Sequence, residues 1–292
     1  MNYLDGFAGC GGFHLGLKLA GFQFEKVFYS EIDKHAIANY QYNFPNSIYA
    51  GSITAISKRT ITDHIDLFTF GWPCQNNSII GKREGHADGT QSNLFYKAIE
   101  IIREFKPFVF IAENVEGLRT VNKGIDIINA LKTLAIFNND MPQYDIEMQL
   151  VNTCEWLPQN RKRLYFIGHR RDAGARKILP IIIQNFKNDK KGGDTGSGIA
   201  RTLLTRTDGR KTTVEGTIIG EMGIDGSIKY RDLIPIEYER LQGYPDDYTK
   251  YGIYNGITKE IIDTQWYKIL GNSVSIPIVA EIGKQLLKIY NI

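Results

Sequence analysis

The sequence predicts an α/β fold: a Rossmann-like, doubly wound, mixed sheet that is mostly parallel, with a small, mostly β or irregular domain attached. Three observations support this prediction. Short apolar segments alternate with helical patterns up to about residue 170. A glycine-rich turn follows the first apolar segment, where such sheets commonly bind ligands. After about residue 171 the alternation stops and the composition changes.

Apolar periodicity assigns the elements of the first half in order. Runs and alternation of apolar residues indicate strands, whereas apolar residues three and four positions apart indicate helices. The predicted elements are a strand at 2–6, a helix at 13–20, a strand at 24–30, a helix at 34–42, a strand at 66–70, a helix at 94–105, a strand at 108–112, a helix at 125–137, and strands at 144–151 and 164–168.

The second half of the chain contains a change of composition typical of a domain boundary. Residues 185–230 are rich in Gly, Thr, Lys and Asp, with only short strand candidates such as 216–220. Helical patterns return at 235–242 and 276–289. We therefore expect residues 1–170 and 233–292 to form one domain and residues 171–232 to form a smaller one.

The overall composition is that of an ordinary globular protein, since 42% of the 292 residues are hydrophobic and 23% are charged. No apolar run approaches the roughly 18–20 residues of a membrane helix, and the N-terminus has no signal-peptide pattern. We expect a cytoplasmic protein that does not enter a membrane. The three cysteines suggest neither a disulfide framework nor a metal site.

Charge is distributed unevenly along the chain. Residues 161–211 contain 14 Lys/Arg and 4 Asp, a local charge of +10, so the net charge of +3 leaves −7 for the remainder. A basic block on a mildly acidic body indicates contact with a polyanion through one region. A merely solvated basic surface is the alternative.

Polar residues follow four of the predicted strands. The carboxyl ends of these strands lead into the glycine turn at 7–12, Glu31, the segment 71–75 and the segment 113–115. Because ligands of open α/β sheets bind beyond these ends, the four segments should share one rim. The turn lacks a third glycine, since His14 stands there, which disfavours a nicotinamide cofactor. Glu31 could accept hydrogen bonds from ribose hydroxyls, although a purely structural turn is equally compatible.

Cys74 is the candidate nucleophile. It follows a proline in a sharp turn after a strand and precedes polar residues, which favours an exposed thiol. A lone cysteine is more often a small core residue, and we interpret Cys10 and Cys154 in that way.

Glu113 and two arginines are candidates for acid–base and binding roles. Glu113 ends an apolar strand, where a carboxyl group can accept and donate a proton; a cap or an ion pair is the alternative. Arg161 and Arg163 are two residues apart at the start of a strand, so both should point to one side. Such a pair suits an anionic or carbonyl-bearing substrate, unless it lies on an ordinary basic surface strand.

Taken together, the segments resemble the cytosine-5 DNA methyltransferase family. The resemblance rests on six motifs in the family's order, spanning nearly the whole chain: DGFAGCGGFHLG at 5–16 followed by Glu31, GWPCQ at 71–75 with Ser78, ENV at 113–115, QNRKR at 159–163, RLQGYPD at 240–246 and GNSV at 271–274. It implies the S-adenosylmethionine-dependent methyltransferase fold, with residues 171–232 as a short target-recognition domain.

The resemblance also implies roles for individual residues. Cys74 would attack carbon 6 of cytosine, Glu113 would hydrogen-bond or protonate ring nitrogen 3, Arg163 would contact the 2-keto oxygen, and Arg161 would assist Cys74 or a nearby phosphate. The implied S-adenosylmethionine site consists of Phe7, Ala8, Gly9, Cys10, Gly11, Gly12, Glu31, Ile32, Pro73, Leu94, Asn272 and Val274. The implied DNA contacts are Gln75, Ser78, Lys82, Arg83, Thr205, Arg206, Thr207, Arg210 and Lys211.

Two departures from the family's pattern bear on these roles. Trp72 stands where phenylalanine is commoner, and Ser52–Ile53 replaces an Asp-Ile pair whose aspartate contacts the adenine amino group. One branch of the family methylates transfer RNA, but residues 171–232 lack its Cys-Phe-Thr signature and contain no cysteine. A non-catalytic DNA-binding relative would usually lack the nucleophile or the ENV acid.

The resemblance implies double-stranded DNA as partner, S-adenosylhomocysteine as product, a monomer and a location at the nucleoid. Three biological settings are compatible with it: a methylase acting beside a separate restriction endonuclease, an orphan methylase, and a phage enzyme.

Overall fold

The computed structural model describes residues 1–72, 91–174, 177–178, 180–181, 200–201, 219–222, 228–231 and 233–291. Within these ranges the strands are β1 (Asn2–Gly6), β2 (Lys26–Ser30), β3 (Ile48–Tyr49), β4 (Leu67–Gly71), β5 (Val109–Val115), β6 (Phe137–Asn138), β7 (Met141–Pro142), β8 (Tyr144–Asn152), β9 (Gln159–Asn160), β10 (Lys162–Arg170), β11 (Ala200–Arg201), β12 (Ile219–Met222), β13 (Ile228–Arg231), β14 (Tyr251–Tyr254) and β15 (Ile257–Glu260). The α-helices are α1 (Gly12–Ala20), α2 (Lys34–Asn43), α3 (Gln91–Phe105), α4 (Ile125–Leu134), α5 (Pro235–Gln242), α6 (Asp263–Gly271) and α7 (Ile276–Tyr290).

A seven-stranded mixed sheet in the order β3-β2-β1-β4-β5-β10-β8 organises the described chain. The first five strands of this order are parallel, whereas β10 runs antiparallel to both β5 and β8. The predicted doubly wound, mixed sheet is therefore confirmed. The strand order reverses between β1 and β4, so a crevice opens there beyond their carboxyl ends, where sheets of this kind bind ligands.

The central strands are buried on both faces, with side chains that alternate between two cores. Leu4, Phe68 and Phe110 lie in a core that also contains residues of α3 and α4. The neighbouring residues Tyr3 and Leu67 lie in the other core, with residues of α1 and α7. This two-sided burial explains why the strands appear in the sequence as continuous apolar runs.

The last helix packs against the first. A Cβ on Gly16 of α1 would lie 2.6 Å from Val279, and a Cβ on Gly283 of α7 would lie 2.6 Å from Ala20. The two glycines therefore permit a close approach of α1 and α7. This contact joins a helix that follows the predicted target-recognition region to the first helix of the chain.

Several observed boundaries differ from the predicted ones: β10, for example, spans Lys162–Arg170 instead of 164–168, and β2 begins at Lys26 instead of 24. β5 continues to Val115 instead of ending at 112, because its pairing with β10 extends through Arg163 opposite Val115. α3 begins at Gln91 instead of 94. α4 ends at Leu134 rather than 137, where Ile136 adopts a left-handed φ of +50°. Helix α6 and the β14–β15 hairpin were not predicted, since their short apolar patterns are weak.

Only short pieces of residues 171–232 are described. β12 and β13 form an antiparallel pair, and β11 pairs with β9. The division of the chain at 171 and 232 stays a prediction. Among the described residues, no helix has the length and hydropathy required to span a membrane.

Candidate active site

The turn after β1 forms the first part of the site. Phe7, Gly9 and Gly11 have positive φ angles of 54°, 55° and 83°, and the Ala8 amide donates a hydrogen bond to the Ser30 carbonyl over 2.9 Å. A Cβ on Gly9 would meet no atom within 4 Å. The backbone at Gly9 therefore faces open space, so a ligand could approach it closely there.

Glu31 is held at the end of β2 by three backbone amides. Its Oε2 accepts from Gly9 over 2.8 Å, and its Oε1 accepts from Ile32 and Asp33 over 2.7 and 3.0 Å. The carboxylate is thus fixed in orientation, and carboxylate oxygens have lone pairs left for ligand hydroxyls. Ile32 is 78% exposed beside it, an apolar surface on which a flat ring could rest.

Three other residues of the predicted cofactor site differ in their surroundings. Val274 is buried, and its Cγ2 would lie 2.8 Å from a Cβ on Gly12. Asn272 is exposed at the end of α6. Leu94 is half-buried and packs against the core that contains α3. Val274 and Gly12 are thus brought together, although they are far apart in sequence.

Ser52 occupies the position of the departure noted in the sequence. Its Oγ accepts a hydrogen bond from the Thr54 amide over 3.4 Å and lies 3.0 Å from the Thr54 hydroxyl. The residue caps the short 3-10 helix Ile53–Ala55. Ser52 therefore has a local structural role as a cap. This role does not require the aspartate that the family has at this position.

The Cys10 side chain is turned into the protein. Its Sγ lies 3.3 Å from the Tyr244 hydroxyl and 3.8 Å from the Ser273 hydroxyl, with no exposed surface. Burial raises the pKa of Cys10 to about 11, and burial also raises the pKa of Cys154. Neither thiol has the lowered pKa that favours a nucleophile. Because its thiol faces the interior, Cys10 can contact a cofactor only through its backbone, and the thiol can influence the site only through the side chains around it.

Glu113 and Arg163 form an ion pair across β5 and β10. Their Oε1 and Nε atoms are 3.0 Å apart, and the side chains are 12% and 11% exposed. Glu113 lies inside β5 rather than beyond its end, and it pairs with Gly71, the last residue of β4. The predicted acid and one predicted arginine therefore meet at the rim where β4 ends.

Asn114 has a role that the sequence did not reveal. Its side-chain amide donates to the carbonyl of Trp72 over 3.1 Å, and its Oδ1 accepts from the Val115 amide over 2.8 Å. Trp72 is the residue before Pro73 and Cys74. The only available signal was the presence of an amide side chain after Glu113, in a strand otherwise apolar.

Arg161 is almost fully buried, at 2% exposure. Both terminal nitrogens lie 3.4 Å from the Gly271 carbonyl, and Nη2 donates to the Ser273 carbonyl. Burial and, to a smaller extent, the Arg163 charge lower the pKa of Arg161 to about 9, which the Glu113 charge partly opposes. The guanidinium therefore fixes the segment 271–273 beside the start of β10.

The remaining predicted site residues lie outside the described residues. They are Pro73, Cys74, Gln75, Ser78, Lys82, Arg83, Thr205, Arg206, Thr207, Arg210 and Lys211. Among the described residues, no group of three potential metal ligands occurs.

Comparison with known proteins gives consistent matches along the chain. The model of the C-5 cytosine-specific DNA methylase family matches residues 1–220 and 203–288. The Type II methyltransferase M1.ScrFI of Lactococcus lactis subsp. cremoris is 31% identical, over 98% of this chain and 78% of the relative. The Type II methyltransferase M.HpaII of Haemophilus parainfluenzae is 29% identical, over 98% of this chain and 89% of the relative.

Solved structures agree on the architecture. The crystal structure of the S. pombe Dnmt2 methyltransferase superposes with a TM-score of 0.75 over the full length of both chains, at 17% sequence identity. At this identity the likeness concerns the fold.

Proposed function

The chain belongs to the C-5 cytosine-specific DNA methylase family, and we propose that it methylates carbon 5 of cytosine in a short sequence of double-stranded DNA, with S-adenosylmethionine as methyl donor. One observation carries this proposal furthest. Glu113 and Arg163 form a shielded ion pair at the rim of the sheet, and Asn114 fixes the Trp72 carbonyl immediately before Pro73 and Cys74. An acid, a carbonyl-binding cation and a thiol are the groups that this reaction requires.

Cys74 is the proposed nucleophile. A thiolate at this position adds to carbon 6 of cytosine, and the electron pair of the ring double bond moves toward carbon 5. Carbon 5 would then bond to the methyl group as S-adenosylhomocysteine leaves. A base or solvent water would take the carbon-5 proton, and the freed electron pair would re-form the ring double bond as the bond between sulfur and carbon 6 breaks. The thiolate is thereby regenerated, so the protein is unchanged after each turnover.

Glu113 and Arg163 stabilise the charge that the attack produces. Glu113 hydrogen-bonds or protonates ring nitrogen 3, which withdraws electrons from the ring as sulfur adds. Arg163 donates to the 2-keto oxygen. Arg161 assists Cys74 or a nearby phosphate; its burial against Gly271 and Ser273 favours assistance through neighbouring side chains over direct phosphate contact.

The described residues fit the proposed cofactor. Gly9 leaves open space above the turn, Glu31 presents a fixed carboxylate to ribose hydroxyls, and Ile32 offers an exposed apolar surface to adenine. The proposed site also contains Phe7, Ala8, Cys10, Gly11, Gly12, Pro73, Leu94, Asn272 and Val274. When bound, S-adenosylmethionine would supply an electrophilic methyl group and leave as S-adenosylhomocysteine.

The substrate must be presented to this rim as an extruded nucleotide. A cytosine stacked in a duplex is inaccessible at carbon 6, so it must be flipped out, at a cost of about a few kcal/mol. Gln75, Ser78, Lys82 and Arg83 are proposed contacts to DNA, as are the residues 205–207, 210 and 211. We propose a monomer located at the nucleoid in the cytoplasm, with or without a separate restriction endonuclease.

The test is a covalent trap. Wild type and Cys74→Ser are incubated with S-adenosylmethionine and a pool of random-sequence duplexes that contain 5-fluorocytosine. Fluorine at carbon 5 blocks proton loss, so an active enzyme stays bonded to the DNA under denaturing conditions. An adduct in wild type alone supports the proposal. Absence of an adduct, despite measurable cofactor binding, contradicts it; an adduct with fluorinated transfer RNA instead would identify RNA as the substrate.

A further inference from the structure

A buried thiol–hydroxyl cluster joins the glycine turn to the C-terminal part of the chain. We define it as Cys10, Tyr244 and Ser273. The Cys10 thiol lies 3.3 Å from the Tyr244 hydroxyl, which in turn hydrogen-bonds the Ser273 hydroxyl. Cys10 and Tyr244 are 234 residues apart in the chain. Each of these polar atoms therefore depends on the other two for its hydrogen bonds.

A second tyrosine fixes the same turn through its backbone. The Tyr248 hydroxyl donates to the Cys10 carbonyl over 2.9 Å, and the Tyr244 and Tyr248 rings lie 4.8 Å apart. Cys10 is thus held at its thiol and at its carbonyl by one short segment. Gly9 and Gly11, on either side of Cys10, have positive φ angles. Fixing Cys10 therefore fixes the central residue of the glycine turn.

Gly12 shows how closely the cluster approaches the turn. A Cβ at this position would lie 2.5 Å from the Tyr244 hydroxyl and 2.7 Å from the Ser273 hydroxyl. Such distances are too short for a side chain. The two hydroxyls therefore form a surface against which the backbone at the start of α1 rests.

Arg161 anchors the other end of the cluster. Its guanidinium donates to the carbonyls of Gly271 and Ser273, and it is electrostatically coupled to Arg163 and Glu113. The segment 271–274 is consequently bounded on one side by the glycine turn and on the other by Arg161. Its Asn272 and Val274 belong to the proposed cofactor site, whereas the carbonyls of Gly271 and Ser273 accept hydrogen bonds from Arg161.

We infer that Tyr244 and Ser273 are positioning residues of the cofactor site, whose paired hydroxyls set the glycine turn in its ligand-binding conformation. This inference rests on the proposed function. Neither residue needs to touch the cofactor; both act through Cys10 and Gly12. Loss of either hydroxyl frees the turn, and affinity falls because ordering the turn must then accompany binding.

The experiment measures the Kd of S-adenosylhomocysteine by calorimetry, independently of methylation. Tyr244→Phe and Ser273→Ala each remove one hydroxyl, and Tyr144→Phe is the matched control. Tyr144 is equally buried, and its hydroxyl donates to the Pro107 carbonyl over 2.7 Å at the start of β8. Thermal unfolding of every variant shows whether it is folded at the assay temperature.

We expect Tyr244→Phe and Ser273→Ala each to raise Kd by about tenfold, the effect of one lost hydrogen bond. The double variant should be little weaker than either single variant, because both remove the same contact. Tyr144→Phe should lower Tm with an unchanged Kd.

Two results would overturn the inference. One is a Kd unchanged in Tyr244→Phe while Tm falls as in Tyr144→Phe, which would make the cluster a stabilising contact only. The other is strict additivity in the double variant, which would mean that the hydroxyls do not act as a pair. Wild type that binds no S-adenosylhomocysteine would overturn the proposed function as well, so the two failures are distinguishable.

Discussion

The side-chain amide of Asn114 donates a 3.1 Å hydrogen bond to the backbone carbonyl of Trp72. Asn114 is 1% exposed and lies between two paired strands, so it cannot shift easily. Trp72 is followed directly by Pro73 and Cys74. The rigid strand β5 therefore fixes the point at which the chain enters the proposed nucleophile segment.

Replacement of Asn114 by alanine should impair catalysis more than folding. The loss of one buried hydrogen bond should cost about 1–3 kcal/mol of stability, whereas misplacement of the nucleophile should lower kcat by about 10–100-fold. The matched control is Asn39→Ala, since buried Asn39 donates to the carbonyls of Tyr248 and Tyr251 away from β4. An equal fall of kcat in both variants, at saturating cofactor and DNA, would contradict a specific role for Asn114.

The Glu113–Arg163 pair should be essential for the chemical step. Glu113→Gln removes the carboxyl group that can exchange a proton with ring nitrogen 3 and that pairs with Arg163, so the single-turnover methylation rate should fall by about 100- to 10,000-fold. DNA binding should change little, because the proposed role is confined to the ring of the target base.

A second buried pair in the same sheet, between β8 and β10, provides the control. Glu147 of β8 lies 2.9 Å from His169 of β10 and accepts a hydrogen bond from the Ile178 amide. Glu147→Gln should lower Tm and leave the single-turnover rate unchanged. If Glu113→Gln methylates at the wild-type rate, Glu113 is an ordinary ion-pair residue, as the sequence alone also permitted.

The open space at Gly9 can be probed with one methyl group. Gly9→Ala places a Cβ where the cofactor should lie, so the Kd of S-adenosylhomocysteine should rise by about tenfold or more. The positive φ at this position should also cost the variant about 1–2 kcal/mol of folding stability. Gly256→Ala is the matched control, since Gly256 has a φ of +77° and a Cβ there would also meet no atom within 4 Å. It should lose similar stability with unchanged Kd. Equal affinities in the two variants would place the cofactor elsewhere.

Asp5 should make the protein less stable as the pH rises through neutrality. Its carboxyl is fully buried, accepts from the Thr69 hydroxyl over 2.9 Å, and burial raises its pKa from 3.8 to about 8. Between these values the folded chain holds a proton that the unfolded chain has released, so stability falls with rising pH.

Histidine opposes this trend only at lower pH. Burial lowers the pKa of His14 from 6.5 to about 3, so its stabilising contribution grows as the pH rises through 6.5 and changes little above about pH 7. From pH 7 to 8 the free energy of unfolding should therefore fall by about 1 kcal/mol in wild type because of Asp5. Asp5→Asn should be nearly flat over the same interval in urea titrations. Parallel curves for both proteins would show that Asp5 is already ionised when folded.

The sequence predicted the parts of the fold that depend on local patterns. Continuous apolar runs marked β4 and β5, and the glycine turn and Glu31 were located because each follows a strand. The exact end of β5 was not predictable, since it depends on pairing with β10 more than forty residues later. Because of this antiparallel pairing, Glu113 and Asn114 lie within the sheet, whereas the sequence pattern predicted them after the end of the strand.

Contacts between distant segments were beyond reach of the sequence. Arg161 was recognised as a site residue, but its burial depends on carbonyls 110 and 112 residues away. Cys10 looked like a small core residue, and only the fold shows that Tyr244 and Ser273 surround its thiol. Their hydroxyls gave no periodic signal, because a single polar contact leaves no repeating pattern.

The packing of α7 on α1 has a consequence for when the site residues acquire their hydrogen-bond partners during translation. The sheet strands through β10 leave the ribosome first, yet Arg161 lacks its full set of carbonyl acceptors, and the cluster of Cys10, Tyr244 and Ser273 lacks its third member, until Ser273 has been made. At about 5–20 residues per second, the 112 residues from Arg161 to Ser273 take about 5–20 s to synthesise. We therefore expect a nascent or prematurely terminated chain to carry the predicted DNA-reading region without a finished glycine turn, and the proposed methylation to begin only after α6 and α7 have docked.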